Sequence, residues 1–88
     1  DSLMFHCLGC DMEHVIYTKN SKVCWGWNGS MDKPTFTPSY LCTYPWGEER
    51  KEVICHSFIV DGNIQYLNDC THHLSGKTVP LPAVEVWP

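Results

Sequence analysis

With 88 residues and ten acids against six bases, the chain carries a formal net charge of −4, which argues against charge-driven nucleic-acid binding, since that rests on Lys and Arg neutralising phosphates. A chain this short hides only about 60–65% of the surface its unfolded form exposes, so one small domain over residues 1–88, supplemented by a metal or by disulfides, is expected. No apolar run approaches the roughly 18 residues of a membrane span, and no basic stretch leading into an apolar one reads as a signal peptide.

Pro and Gly break the chain into short extended pieces. Residues 3–7 predict a strand running into the tight turn Cys7-Leu8-Gly9-Cys10. Residues 13–19 are rich in β-branched and aromatic side chains and predict a second strand. Residues 23–27 predict a third, closed by Asn28-Gly29, where both residues tolerate positive φ. Pro34 and Pro38 bracket an extended edge piece, and residues 39–44 follow as a strand. The clearest hairpin joins residues 52–60 to 63–67 through Asp61-Gly62, a type I′ signal. A loop over 68–77 and an extended tail over 78–87 complete the chain. No window holds apolar residues at helical spacing, so the reading is an all-β or mostly β domain of short antiparallel strands.

The six cysteines are Cys7, Cys10, Cys24, Cys42, Cys55 and Cys70. An even number permits disulfides, but the Cys-x-x-Cys of Cys7 and Cys10 and the later groups Cys55-His56 and Cys70-Thr71-His72-His73 suit tetrahedral zinc, which takes thiolate sulfur and imidazole nitrogen. Cys7, Cys10, Cys55 and His56 are the first choice of Zn2+ ligands, with His72, Cys70 and His14 as a second tier. Alternation along a strand puts Ile54, His56, Phe58 and Val60 on one face and Val53, Cys55, Ser57 and Ile59 on the other. Cys55 and His56 reach one ion only if the strand bulges or ends there. Cys24 and Cys42, each set among apolar neighbours, read as small buried hydrophobes.

Five ordered blocks carry a resemblance across nearly the whole chain. They are Phe5-His6-Cys7-Leu8-Gly9-Cys10 with His14, Trp25-Gly26-Trp27-Asn28-Gly29, Pro34-Thr35-Phe36-Thr37-Pro38-Ser39, Cys55-His56-Ser57-Phe58-Ile59 with Asp61-Gly62, and residues 69–82. Together they resemble a family of small zinc-ribbon-like proteins of tailed bacteriophages and bacteria, of unknown function and often mislabelled ammonia monooxygenase. Leu8 stands where the family knuckle usually has proline, and Ser75-Gly76-Lys77-Thr78 where it has Ala-Gly-Gln-Thr. The resemblance implies a phage-type protein in the cytoplasm of the host cell, where reduced thiols favour a metal over disulfides.

The functional expectation is a protein-interaction module with a structural zinc, acting on a host or phage protein and modulating the host or its defences, with no membrane or nucleic-acid partner and no catalytic residue assigned. Trp46, in a polar loop, is the foremost candidate contact residue, followed by Trp25 and Trp27, of which at least one is expected in the core. The alternative is a small zinc-dependent hydrolase, with Asp69 or Glu13 as general base and His72 or His73 nearby. Neither His-Glu-x-x-His nor a deaminase signature is present.

Overall fold

The computed structural model describes residues 2–87, and every regular element among them is a strand. They are β1 (Ser2–Cys7), β2 (Met12–Tyr17), β3 (Gly26–Trp27), β4 (Phe36–Trp46), β5 (Lys51–Val60), β6 (Asn63–Tyr66), β7 (Thr78–Pro80) and β8 (Glu85–Trp87). One sheet has the order β2-β1-β8 and the other β3-β4-β5-β6-β7; every pairing is antiparallel.

Alternation decides which side chains meet. Leu3, Phe5 and Cys7 of β1 and His14 and Ile16 of β2 point inward, as do Cys55, Ser57 and Ile59 of β5. With Phe36, Tyr40, Ile64, Tyr66 and Val84, the apolar members of this set form one core between the sheets. The Tyr40 hydroxyl fastens the layers by donating to the Val15 carbonyl at 3.1 Å. On the outer face of β5, Phe58 and Val60 remain exposed, as the predicted alternation requires.

The 5–6 hairpin turns where the sequence places it, with Asp61 at φ 50° and Gly62 at φ 79°. Two elements differ from expectation. The pieces on either side of Pro38 are one strand, β4, whose register against β5 shifts between Phe36 and Tyr40. That irregularity lets the chain pass a proline without forfeiting the ladder beyond it. The third segment shrinks to Gly26–Trp27, because residues 18–25 form a loop, and Cys24 is exposed there rather than buried. Its thiol donates to the Ser21 carbonyl at 3.1 Å.

Candidate active site and metal centre

The first constellation lies between the sheets. Pairing of β1 with β2 sets Cys7 opposite Met12 and Phe5 opposite His14, so Cys7 and His14 both face inward, 0% and 4% exposed. The connection folds tightly: the Asp11 amide donates to the Cys7 carbonyl at 2.8 Å, and the Cys10 amide donates to Cys7 Sγ at 3.4 Å. Cys55 arrives from the facing sheet. The donor atoms of Cys7, Cys10, His14 and Cys55 all lie within 4.8 Å of one another, a cluster that could hold a metal ion.

The chemistry of these donors fits a cation better than a bridge. Cys7 Sγ and Cys55 Sγ are 3.8 Å apart, far beyond the roughly 2.05 Å of a disulfide. A tetrahedral ion with metal–sulfur distances of about 2.3 Å sets its sulfurs about 3.8 Å apart. Nε2 of His14 is buried with no hydrogen-bond partner, and all six cysteines are free thiols. The hydrogen bond from Cys55 holds the Cys7 thiol well below the usual thiol range; burial opposes this, while His14, the Tyr66 hydroxyl and the Cys10 amide reinforce it. Cys55 is pushed up by the same hydrogen bond to Cys7, by burial and by the Cys7 charge. Burial works against protonation of His14, but the sulfurs of Cys42, Cys7 and Cys10 outweigh it and raise the imidazole to about 10. A cation entering here therefore displaces protons from Cys55 and His14, so its affinity rises with pH.

His72 packs over the knuckle, its ring 4.6 Å from that of Tyr66 and edge-on to it. A Cβ on Gly9 would collide with the His72 imidazole. Gly9→Ala is therefore expected to lower stability by about 1–3 kcal/mol, read as a fall in the thermal midpoint, and to speed metal release to a chromogenic chelator.

The second constellation lies on the opposite face of the same strand. His56 Nε2 is 3.0 Å from Ser39 Oγ, and His56 Nδ1 is 3.0 Å from Asp69 Oδ2. With Nδ1–H donating to the carboxylate, Nε2 is left to accept from the Ser39 hydroxyl. Hydroxyl, imidazole and carboxylate thus stand in the relay order of a nucleophile, its base and the group that orients the base. The imidazole is only partly shielded, with 25% of its side chain exposed, and the Asp69 side chain is 53% exposed.

Each member is held by local structure. The Trp25 indole donates to the Ser39 carbonyl at 3.1 Å. The His56 amide donates to Cys70 Sγ at 3.2 Å, and the His56 carbonyl accepts from the Leu67 amide at 2.9 Å and from the Cys70 thiol at 3.1 Å. One residue further, the Thr71 amide donates to the Ile54 carbonyl at 3.0 Å, and the Ile54 amide to the Thr71 hydroxyl at 3.0 Å. Residues 67–71 are thereby zipped along β5, which carries Asp69 to the imidazole.

The structure brings Cys7, Cys10 and Cys55 together as the spacing suggests, and supplies His14 where His56 was the first choice. The reason is alternation: no bulge interrupts β5 at Cys55 and His56, so one faces the sulfur cluster and the other Ser39 and Asp69. Cys70 spends its sulfur on the His56 backbone, and His72 lies over Gly9; neither is in the cluster. Glu13 pairs with the His6 imidazole at 2.8 Å and Asp69 with that of His56 at 3.0 Å, so the partner of each candidate base is a histidine other than the expected His72 or His73. Trp46 is 65% exposed, while Trp25 and Trp27 are half-buried against the core. Ser39 escaped the sequence reading. Its only signal was a serine after Pro38 at the head of a strand, and its neighbour in space, His56, lies 17 residues on.

An all-β domain that pairs a Cys/His cluster with a Ser-His-Asp constellation has the parts of a metal-stabilised serine hydrolase. Over residues 1–67 the chain matches the model of BubE, the bacterial ubiquitination-like system serine protease, and it belongs to that family. The family is thus a bacterial one, and its description is not that of a phage zinc ribbon. The matched segment contains Ser39 and His56 and ends before Asp69. No curated protein and no solved structure matches the chain.

Proposed function

We propose that this protein is a serine protease in which Ser39 is the nucleophile, His56 the general base and acid, and Asp69 the group that orients the imidazole. The observation carrying the reading is the pair of 3.0 Å contacts that His56 makes through its two ring nitrogens. As Ser39 Oγ attacks a carbonyl carbon, His56 Nε2 takes its proton. The same nitrogen then returns that proton to the departing amine, leaving an acyl-Ser39 ester that water cleaves by the reverse sequence. Asp69 keeps the proton of the neutral imidazole on Nδ1 and stabilises the imidazolium while it lasts. The family description supports a substrate among the proteins of a bacterial ubiquitination-like system.

Cys7, Cys10, His14 and Cys55 would hold a structural zinc ion, which supplies folding energy and no coordination position for substrate. Three sulfurs and one imidazole nitrogen support zinc over magnesium or calcium, which take oxygen. Free thiols support a reducing compartment. Protein engagement through the exposed Trp46 is compatible with this reading, since a protease must also grip its substrate.

A small fluorophosphonate with no peptide portion tests the triad. It is expected to label one site, Ser39, identified by mass spectrometry of the digested protein, and to fail with His56→Ala. Absence of labelling in the folded native chain, or labelling at another serine, would overturn the assignment.

A further inference from the structure

We infer that the open edge of β4 beyond Ser39 receives the substrate as an added β-strand, so that the preferred substrate is an extended peptide segment rather than a folded surface. This rests on the serine-protease reading and extends it to the mode of substrate binding. The hydrogen-bond accounting of β5 carries it. Ile54 and His56 direct their amides and carbonyls to Thr71, Cys70 and Leu67, away from β4. Their antiparallel partners are Thr43 and Leu41. In such a ladder both residues of a pair bond to each other or both face away, so the N–H and C=O of Leu41 and Thr43 face the far side.

Two independent residues agree with that parity. Pro45, two positions after Thr43, has no N–H to lose and so belongs on the side facing away from β5. The Ser39 carbonyl, two positions before Leu41, bonds to the Trp25 indole on that same side. Among the described residues, no strand occupies this edge: β3 reaches only Phe36 and Thr37. A trough of about 510 Å3 runs there instead, with Leu41 and Thr43 along one wall and Val15, Tyr17 and Trp25 on the others.

An unpaired edge of this kind is a template for another extended chain, and proteins ordinarily blunt it unless it is used. Here Pro38 and Pro45 close the two ends, the Trp25 indole takes the Ser39 carbonyl, and the edge groups of Leu41 and Thr43 are left open, starting two residues after the nucleophile. Leu41, 53% exposed and directly across from His56, and Phe58, 43% exposed, give the outer face apolar contacts for alternate side chains of the bound segment.

The test uses the native protein and tetrapeptidyl diphenyl phosphonates, each N-methylated at a different amide, which phosphonylate Ser39 Oγ as one phenoxy group leaves as phenol. Methylation at amides that face the β4 edge is expected to slow labelling about ten-fold and methylation at the intervening amides little, an alternation with period two. Equal sensitivity at every position, or none, would overturn strand addition. So would failure of every peptidyl phosphonate while the small fluorophosphonate still labels Ser39. Failure of both probes would instead remove the triad reading beneath it. Thr43→Pro, which deletes one edge amide without touching a β4–β5 bond, is expected to lower the ratio of peptidyl to small-probe labelling about ten-fold; an unchanged ratio counts against the proposal. A dimer in sedimentation that Thr43→Pro abolishes would assign the edge to a second copy of the chain and overturn it as well.

Discussion

Ser39→Ala and His56→Ala are each expected to lower kcat by roughly 10^4- to 10^6-fold, because members of a relay act as a unit and losing one forfeits most of what all supply. Hydrolysis of a p-nitrophenyl ester and of casein checks this on two substrates of different size. Asp69→Asn should cost about 10^4-fold, since an amide at that position favours the imidazole tautomer with its proton on Nε2, where it cannot accept from Ser39. The thermal midpoint decides whether these losses are chemical. Ser39 and Asp69 sit outside the core cluster, so stability should change by less than about 1 kcal/mol. A serine variant that keeps its activity would show that Ser39 is not the nucleophile. A variant that melts like the parent and is inactive would isolate the hydroxyl as the cause.

Cys55→Ser and Cys7→Ser are expected to abolish cooperative folding. Structural zinc sites contribute about 10–16 kcal/mol of apparent binding energy, which matches or exceeds the roughly 5–15 kcal/mol of net stability in a typical domain. Removal of the ion from the native chain by a strong chelator should therefore erase the near-ultraviolet circular dichroism, and stoichiometric zinc should restore it. Elemental analysis is expected to find one equivalent of metal. Cys24→Ser is the control: its sulfur is exposed and outside the cluster, so metal content and melting should be unchanged. A metal-free preparation with an unaltered melt would show that the four donors pack without an ion.

Much of this architecture can be read from residues. The Asp61-Gly62 turn fixes the register of β5 against β6, and that register fixes which side chains of β5 are buried. Alternation alone then separates Cys55 from His56. Two good ligands adjacent in sequence suggest one ion, but an unbulged strand turns them to opposite faces. His14 was harder to weigh, because its role depends on Phe5 facing it across the β1–β2 pair. Ser39 was out of reach for a different reason. Its position against His56 is set by a register shift between Phe36 and Tyr40 and by a loop that returns Asp69 to the strand, and neither is a property of any local run of residues. Asp69 could be seen as a candidate base, and only the zipper from Thr71 and Cys70 to β5 shows which imidazole it meets.

Cys55 and His56 are consecutive, and this has a practical consequence for anyone assaying the protein. On the serine-protease reading, loss of an ion from the cluster would loosen the residue next to the proposed base, so phenanthroline or EDTA would suppress turnover as thoroughly as a serine-directed phosphonate. An inhibitor panel would then score the protein under two mechanistic classes at once. The order of events tells them apart: chelators would act with the slow time course of unfolding, whereas the phosphonate would act at the rate of its own bond formation.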